Sequence, residues 1–245
     1  MGSRDEVMAA LRAESARFVA LAGSLSPADA LVPVPTLAWS VGETLAHVLT
    51  VVRRGFADRR RSATAEDTGA LNARCLEELA ARDLAELSAM LRDDVHTAVD
   101  VVFPKIPDDR RFPFHGGVQT TMTPALHVVL GEFVVHGYDI ARALGRVWPI
   151  PDEVALLLAP GELLGAWVRA DAPAELYDVR LTGAPPMRYR LGPRRLVVEQ
   201  PPADPGIEPD ATIEAQPRAF VLAFYNRVPL ADPALGRFLS RFVPS

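Results

Sequence analysis

Within the apolar stretch Leu126–Arg146, LHVVLGEFVVHGYDIARALGR, side chains able to bind a cation recur at helical spacing: Glu132 and His136 are four apart, with Asp139 three further on. At that spacing the three share one stripe of a helix. The remaining residues are apolar nearly all round, the mark of a helix enclosed by others, so the stripe is polar inside a core. A carboxylate in such a place must be paired, hydrogen-bonded or bound to a cation. Two chemistries meet that demand. Glu132 and His136 can share a divalent metal with at least one ligand from elsewhere, since borderline metals accept imidazole nitrogen together with carboxylate oxygen. Alternatively, Glu132 is neutralised within the core by a histidine or an arginine.

The other reactive side chains are dispersed. His47 falls beside the apolar stripe Val41, Leu45, Val48 and Val52 rather than opposite it, as a partly buried histidine would. His96 shares four-residue spacing with Arg92 and Asp100 on a polar face and is expected in solvent. Cys75 is the single cysteine, so there is no internal disulfide, and its helical context suits a small core residue. Glycine-rich phosphate loops, a CxxC pair and a serine nucleophile elbow are absent from the sequence.

These residues need elements to hold them. Residues 5–24 carry Val7, Leu11, Phe18 and Leu21 at near-helical spacing, and Gly23 closes the run. After a loop broken by Pro27, Pro33 and Pro35, Ser40 and Glu43 form a capping-box pair that opens a second helix carrying His47. Leu71–Ala81 and Leu84–Phe103 read as further packed helices. Pro104–Pro124 has no periodicity, and a loop of that length suggests a lid or pocket wall to which His115 and His127 could contribute. Pro149 and Pro151 then separate the metal-helix region from a second part, placing a boundary between residues 1–147 and 148–245. In that second part Asp152–Arg169 reads as a helix interrupted at Pro160. Tyr177–Thr182, Met187–Leu191, Arg195–Glu199 and Ala211–Ala215 read as strands, and Pro217–Arg227 and Pro233–Phe242 as helices. The expected fold is α+β with two domains, an up-and-down helical bundle followed by a small sheet covered by helices.

Composition narrows the partners. A chain of 245 residues, 49% of them hydrophobic, has ample apolar content for a packed core, as one large domain or two modest ones. Net charge is −5, and Lys105 is the only lysine among 26 basic residues. The one dense basic run, Arg53, Arg54, Arg59, Arg60 and Arg61, is expected to face water at a helix end, so no nucleic-acid partner is indicated. No stretch reaches the roughly eighteen apolar residues of a membrane span, and no apolar signal core precedes Arg4, which makes a cytoplasmic protein the expectation.

Two stretches together, Trp39-Ser40-Val41-Gly42-Glu43-Thr44-Leu45-Ala46-His47 and Glu132-Phe133-Val134-Val135-His136-Gly137-Tyr138-Asp139-Ile140-Ala141, resemble the signatures of the mycothiol-dependent maleylpyruvate isomerase family. That family is a branch of the DinB-like four-helix metalloproteins. The resemblance implies a four-helix bundle followed by a sterol-carrier-protein-like α+β domain. It also implies a divalent metal, usually zinc, held by His47, Glu132 and His136, and a thiol cofactor of the mycothiol type. Arg227, in Phe224-Tyr225-Asn226-Arg227-Val228-Pro229, matches the arginine near the end of the family's C-terminal helix, implying a catalytic role toward a substrate carboxylate. Asp139 would orient a ligand or an arginine from outside the ligand set. Ala38 stands where many members have Gly, and Tyr225-Asn226 where Trp-Gly is usual; both departures concern the pocket and not the ligands. The implied function is thiol-dependent isomerisation or S-conjugation of a small electrophilic, carboxylate-bearing substrate. A metal-dependent hydrolase on the same bundle and a non-catalytic binding protein are the alternatives, separated from it by whether added thiol is required.

Overall fold

The computed structural model describes residues 2–79, 83–204, 206–229 and 232–243. Helix α1 (Arg4–Gly23) opens on a capping box in which Ser3 and Glu6 satisfy each other's backbone N–H groups. A single 3₁₀ turn, Pro27–Leu31, precedes α2 (Val41–Arg54), whose predicted Ser40–Glu43 capping box is formed. Next come α3 (Thr68–Glu78) and α4 (Leu84–Val95), the latter capped by Asp83 and prolonged through wider π-helical turns at His96–Val102. The tail of the predicted Leu71–Ala81 helix, Ala80 and Ala81, lies outside the described residues.

A two-residue hairpin, β1 (Phe112–Pro113) against β2 (Gln119–Thr120), breaks the long loop before α5 (Met122–Ala143). Helix α5 starts earlier than the sequence suggested. Pro124 lies in its first turn, where the missing N–H costs nothing. The four long helices pack as a bundle in which α1 and α2 each lie against both α4 and α5. Consecutive members α1 and α2, like α4 and α5, therefore stand across a diagonal, which differs from the simple up-and-down order. The connections permit this: residues 24–40 and 96–121 are long enough to cross an end, whereas short loops would force adjacency. His96 is exposed beside Asp100, as its spacing implied.

After α5 the predicted Asp152–Arg169 helix is divided into α6 (Asp152–Leu157) and a 3₁₀ segment, Glu162–Trp167, on the far side of Pro160. Strands β3 (Glu175–Leu181), β4 (Met187–Gly192), β5 (Arg195–Glu199) and β6 (Ala211–Ala215) make one sheet in the order β5-β4-β3-β6. Its pairs are antiparallel except β3 with β6, which is parallel. Helix α7 (Pro217–Phe224) packs on α6, and α8 (Pro233–Leu239) covers the sheet. Tyr177 and Tyr189 are cross-strand partners on one face, and both rings meet Phe238 of α8 edge-on at 5.2 and 5.5 Å.

The two parts are stapled by polar contacts. Arg17 of α1 lies 3.7 Å over the Trp148 ring and donates to the Pro149 carbonyl. Arg142 of α5 donates to the Arg227 carbonyl at 2.8 Å. Gly137 is required by the same packing: a Cβ there would lie 2.3 Å from Trp148. No helix among the described residues is long and apolar enough to cross a membrane.

Candidate metal centre

Helices α2 and α5 face each other in the bundle, and their facing stripes carry His47 on one side and Glu132 with His136 on the other. The structure brings these three together: one donor atom from each lies within 4.8 Å of the others. His47 and His136 are buried, and Glu132 is partly open. Both imidazole Nε2 atoms sit 3.3 Å from the same oxygen, Glu132 Oε2. Yet neither is aligned as a hydrogen bond, and that oxygen is buried without a hydrogen-bond partner. Three potential donor atoms thus gather around common space without pairing in hydrogen-bond geometry.

The spacing suits a cation. Two donors each about 2.0–2.1 Å from a tetrahedral zinc ion are about 3.3 Å apart. An internal ion pair would align at least one N–H with the carboxylate, and none is aligned. Asp139 completes the argument from behind. Its Oδ2 lies 3.0 Å from His136 Nδ1, so that nitrogen carries a proton and Nε2 is the atom that would bind a cation on losing its own. Burial raises the carboxyl of Glu132, but the two imidazoles outweigh this and hold it well below the usual range. For His136, burial works against the charge, and Asp139 with Glu132 overcome it, leaving the imidazole more basic than usual. Burial keeps His47 less basic than usual.

The supporting wall comes from the proline-rich loop. Val34 N donates to the Trp39 carbonyl and Val41 N to the Val32 carbonyl, fixing Trp39 just before the α2 cap. Its indole lies 4.6 Å from the His47 ring and 6.4 Å from that of His136, closing one side of the centre. Sequence reasoning missed Trp39 as a site residue, although its place next to the cap, eight residues before His47, was visible.

Arg227 is buried and forked onto a protein carboxylate. Its Nε and Nη2 donate to Asp139 at 2.9 and 2.8 Å, and Nη1 donates to the Tyr225 carbonyl. The guanidinium assigned by resemblance to a substrate carboxylate is therefore engaged with the residue that orients His136.

The basic run does not all face water, contrary to the sequence reading. Arg54 is only 5% exposed, because it lies seven residues after His47 and shares its buried face of α2. Arg53 instead pairs with Asp94 at 2.6 Å, and Arg60 with Asp58 and Glu78. The hairpin loop carries His115 over this region. Gly116 and Gly117 have φ of 73° and 72° at its tip, and a Cβ on Gly117 would lie 2.6 Å from the Ala63 carbonyl. His115 reaches Arg54 and Ser62, not the three converging donors. His127 points elsewhere too, into a mainly apolar cleft shared with Leu157, Leu164 and Tyr225, where its Nδ1 meets the Leu157 carbonyl.

His115 offers a direct test of this packing. Burial, then Arg54 and Arg61, push its pKa down to about 4, against about 6.5 in the unfolded chain. The unfolded state binds the extra proton first, so the contribution is present above pH 6.5 and is lost as pH falls toward 4. Urea midpoints are expected to fall more steeply between pH 7 and 4.5 in wild-type protein than in His115→Gln. Parallel pH profiles would contradict the buried, neutral assignment.

Residues 11–141 match the family model described as the mycothiol maleylpyruvate isomerase N-terminal domain. Two solved structures are similar in fold. One, the mycothiol-dependent maleylpyruvate isomerase, has 14% identity and a TM-score of 0.58, covering 91% of this chain and 89% of that one. The other, a histidine-to-alanine mutant of the mycothiol-dependent maleylpyruvate isomerase, has 15% identity and a TM-score of 0.50, covering 72% and 75%. No curated protein matches the chain.

Proposed function

This chain belongs to the mycothiol maleylpyruvate isomerase family defined by that N-terminal domain, and from that membership we propose that it is a thiol-dependent enzyme acting at a divalent metal held by His47, Glu132 and His136. The observation that carries the reading is the unaligned approach of both Nε2 atoms to one buried Glu132 oxygen, 3.3 Å from each. Zinc is the proposed ion on the donor set, and a mycothiol-type thiol the proposed co-substrate. The substrate is a small electrophile bearing a carboxylate, and the reaction is isomerisation or S-conjugation. The boundary at 147/148 belongs to the same proposal, with the bundle supplying the ligands and the second part supplying Arg227.

With three protein ligands, a bound ion would keep an open position and favour the thiolate form of a thiol there. The chain's own residues do the rest. Asp139 fixes the His136 tautomer, Arg227 fixes Asp139, and Trp39 shields the His47 side from water. Burial of both imidazoles keeps the centre dry enough for charge interactions to be strong.

Elemental analysis of purified protein, followed by turnover of maleylpyruvate with and without added thiol, tests the reading. About one equivalent of metal and strict thiol dependence are expected. Turnover that persists without low-molecular-weight thiol favours the hydrolase alternative and overturns the proposal.

A further inference from the structure

We propose that Arg54, together with His115, is an anion subsite beside the centre that takes a carboxylate of the substrate. The inference rests on the functional reading above for placing a substrate there. Among the described residues, the Arg54 guanidinium has two polar neighbours: Nε donates to the Thr50 carbonyl at 3.3 Å, and Nη1 lies 3.5 Å from His115 Nε2. The second neighbour is not an acceptor. His115 Nδ1 accepts the Ser62 backbone N–H at 3.1 Å, so in the neutral ring Nε2 carries the hydrogen. Two donors thus face each other, and among the described residues this buried arginine forms no ion pair with a carboxylate. Arg53, Arg60 and Arg227 each hold an aspartate or a glutamate, and Arg61, which holds none among the described residues, is spent on four carbonyls.

Placement points the same way. Arg54 is two turns beyond His47, roughly 10 Å along the axis at about 1.5 Å per residue. Helical side chains lean toward the N-terminus, so its long stem runs back toward the centre. The acidic group acting most strongly on it is Glu132, while Asp58 is engaged by Arg60. Were a divalent ion held by His47, Glu132 and His136, it would offset the charge of Glu132. Arg54 is then left without a counter-charge, and a planar carboxylate matches its fork. Ser62 holds the hairpin that carries His115 in place, its backbone N–H donating to His115 Nδ1 and its Oγ accepting from Gly116 N at 3.1 Å.

Maleate serves as the probe, titrated calorimetrically into wild-type, Arg54→Gln and Arg54→Lys proteins, with dimethyl maleate as the uncharged control and metal content measured on each sample. Arg54→Gln is expected to keep its metal and lose affinity for maleate by about tenfold or more, the scale of a charge-assisted hydrogen bond. Arg54→Lys should weaken binding less, because it keeps the charge without the fork. Wild-type protein should not bind the ester. Unchanged maleate affinity in Arg54→Lys and Arg54→Gln, equal binding of the ester, or no maleate binding to wild type overturns the subsite; should Arg54→Gln fail to fold, Arg54→Lys and the ester decide. Failure of the functional reading looks different: wild-type protein then takes up no metal even from excess zinc, whereas failure of the subsite alone leaves a metal-loaded protein whose maleate affinity does not depend on Arg54.

Discussion

His47→Ala and His136→Ala proteins are expected to purify without metal and without turnover while remaining folded. Three donors converge on one space, and loss of either imidazole leaves a carboxylate and one nitrogen. Removing a group behind a ligand already costs about 10–100-fold in metal affinity, so removing a ligand should cost more than about 100-fold. Glu132→Gln makes an instructive third variant, because the amide keeps an oxygen donor but gives up the charge. Wild-type affinity should also rise with pH between 6 and 8. Without metal, His136 is held protonated by Asp139 and Glu132, so binding an ion must release that proton. Elemental analysis and a competitive chelator titration read all of these. Full metal content in His47→Ala would show that His47 is not a ligand, and a metal-free wild type would return Glu132 to the role of an internal ion-pair partner.

The sequence made α5 legible because its polar residues interrupt an otherwise apolar helix at three- and four-residue steps, and only helical geometry turns those steps into a stripe. The Ser40–Glu43 cap was equally readable, since capping is local chemistry. His47 was less clear. One residue off the apolar stripe, it becomes interior only because a second helix covers that edge, which is tertiary information. Arg54 was misplaced for a related reason: arginine at a helix end normally meets water, and the i, i+7 relation to His47 had to outweigh that preference. The bundle order was hidden as well. Loop lengths permitted diagonal connections but did not select them, and the selection lies in how α1 and α2 each bury their stripes against α4 and α5. His115 was named only as a loop histidine, because nothing local announces that Gly116 and Gly117 fold the hairpin back onto Ser62.

Arg227→Ala is expected to lower thermal stability and metal affinity together. The resemblance alone would instead predict loss of rate with the metal retained, but the geometry links Arg227 to His136 through Asp139. Asp139 and Arg227 are both buried and joined by a forked pair at 2.8–2.9 Å, with residues from opposite parts of the chain. Removing one member of such a pair strands the other charge, at a cost of about 3–5 kcal/mol. In Arg227→Ala the stranded Asp139 still faces His136, but without the guanidinium it is free to turn, and ligand orientation loosens. Asp139→Asn should be harsher on the metal, by about 10–100-fold, because the group holding His136 Nδ1–H changes from a carboxylate to an amide. The double variant Asp139→Asn/Arg227→Ala separates positioning from packing. If the two act as one unit, its loss of metal affinity should be close to that of Asp139→Asn alone, well short of the summed single effects. Thermal unfolding and chelator competition on the three proteins supply the measurements. Wild-type metal affinity and melting temperature in Arg227→Ala, with only KM raised, would place the guanidinium on the substrate instead of behind the ligand.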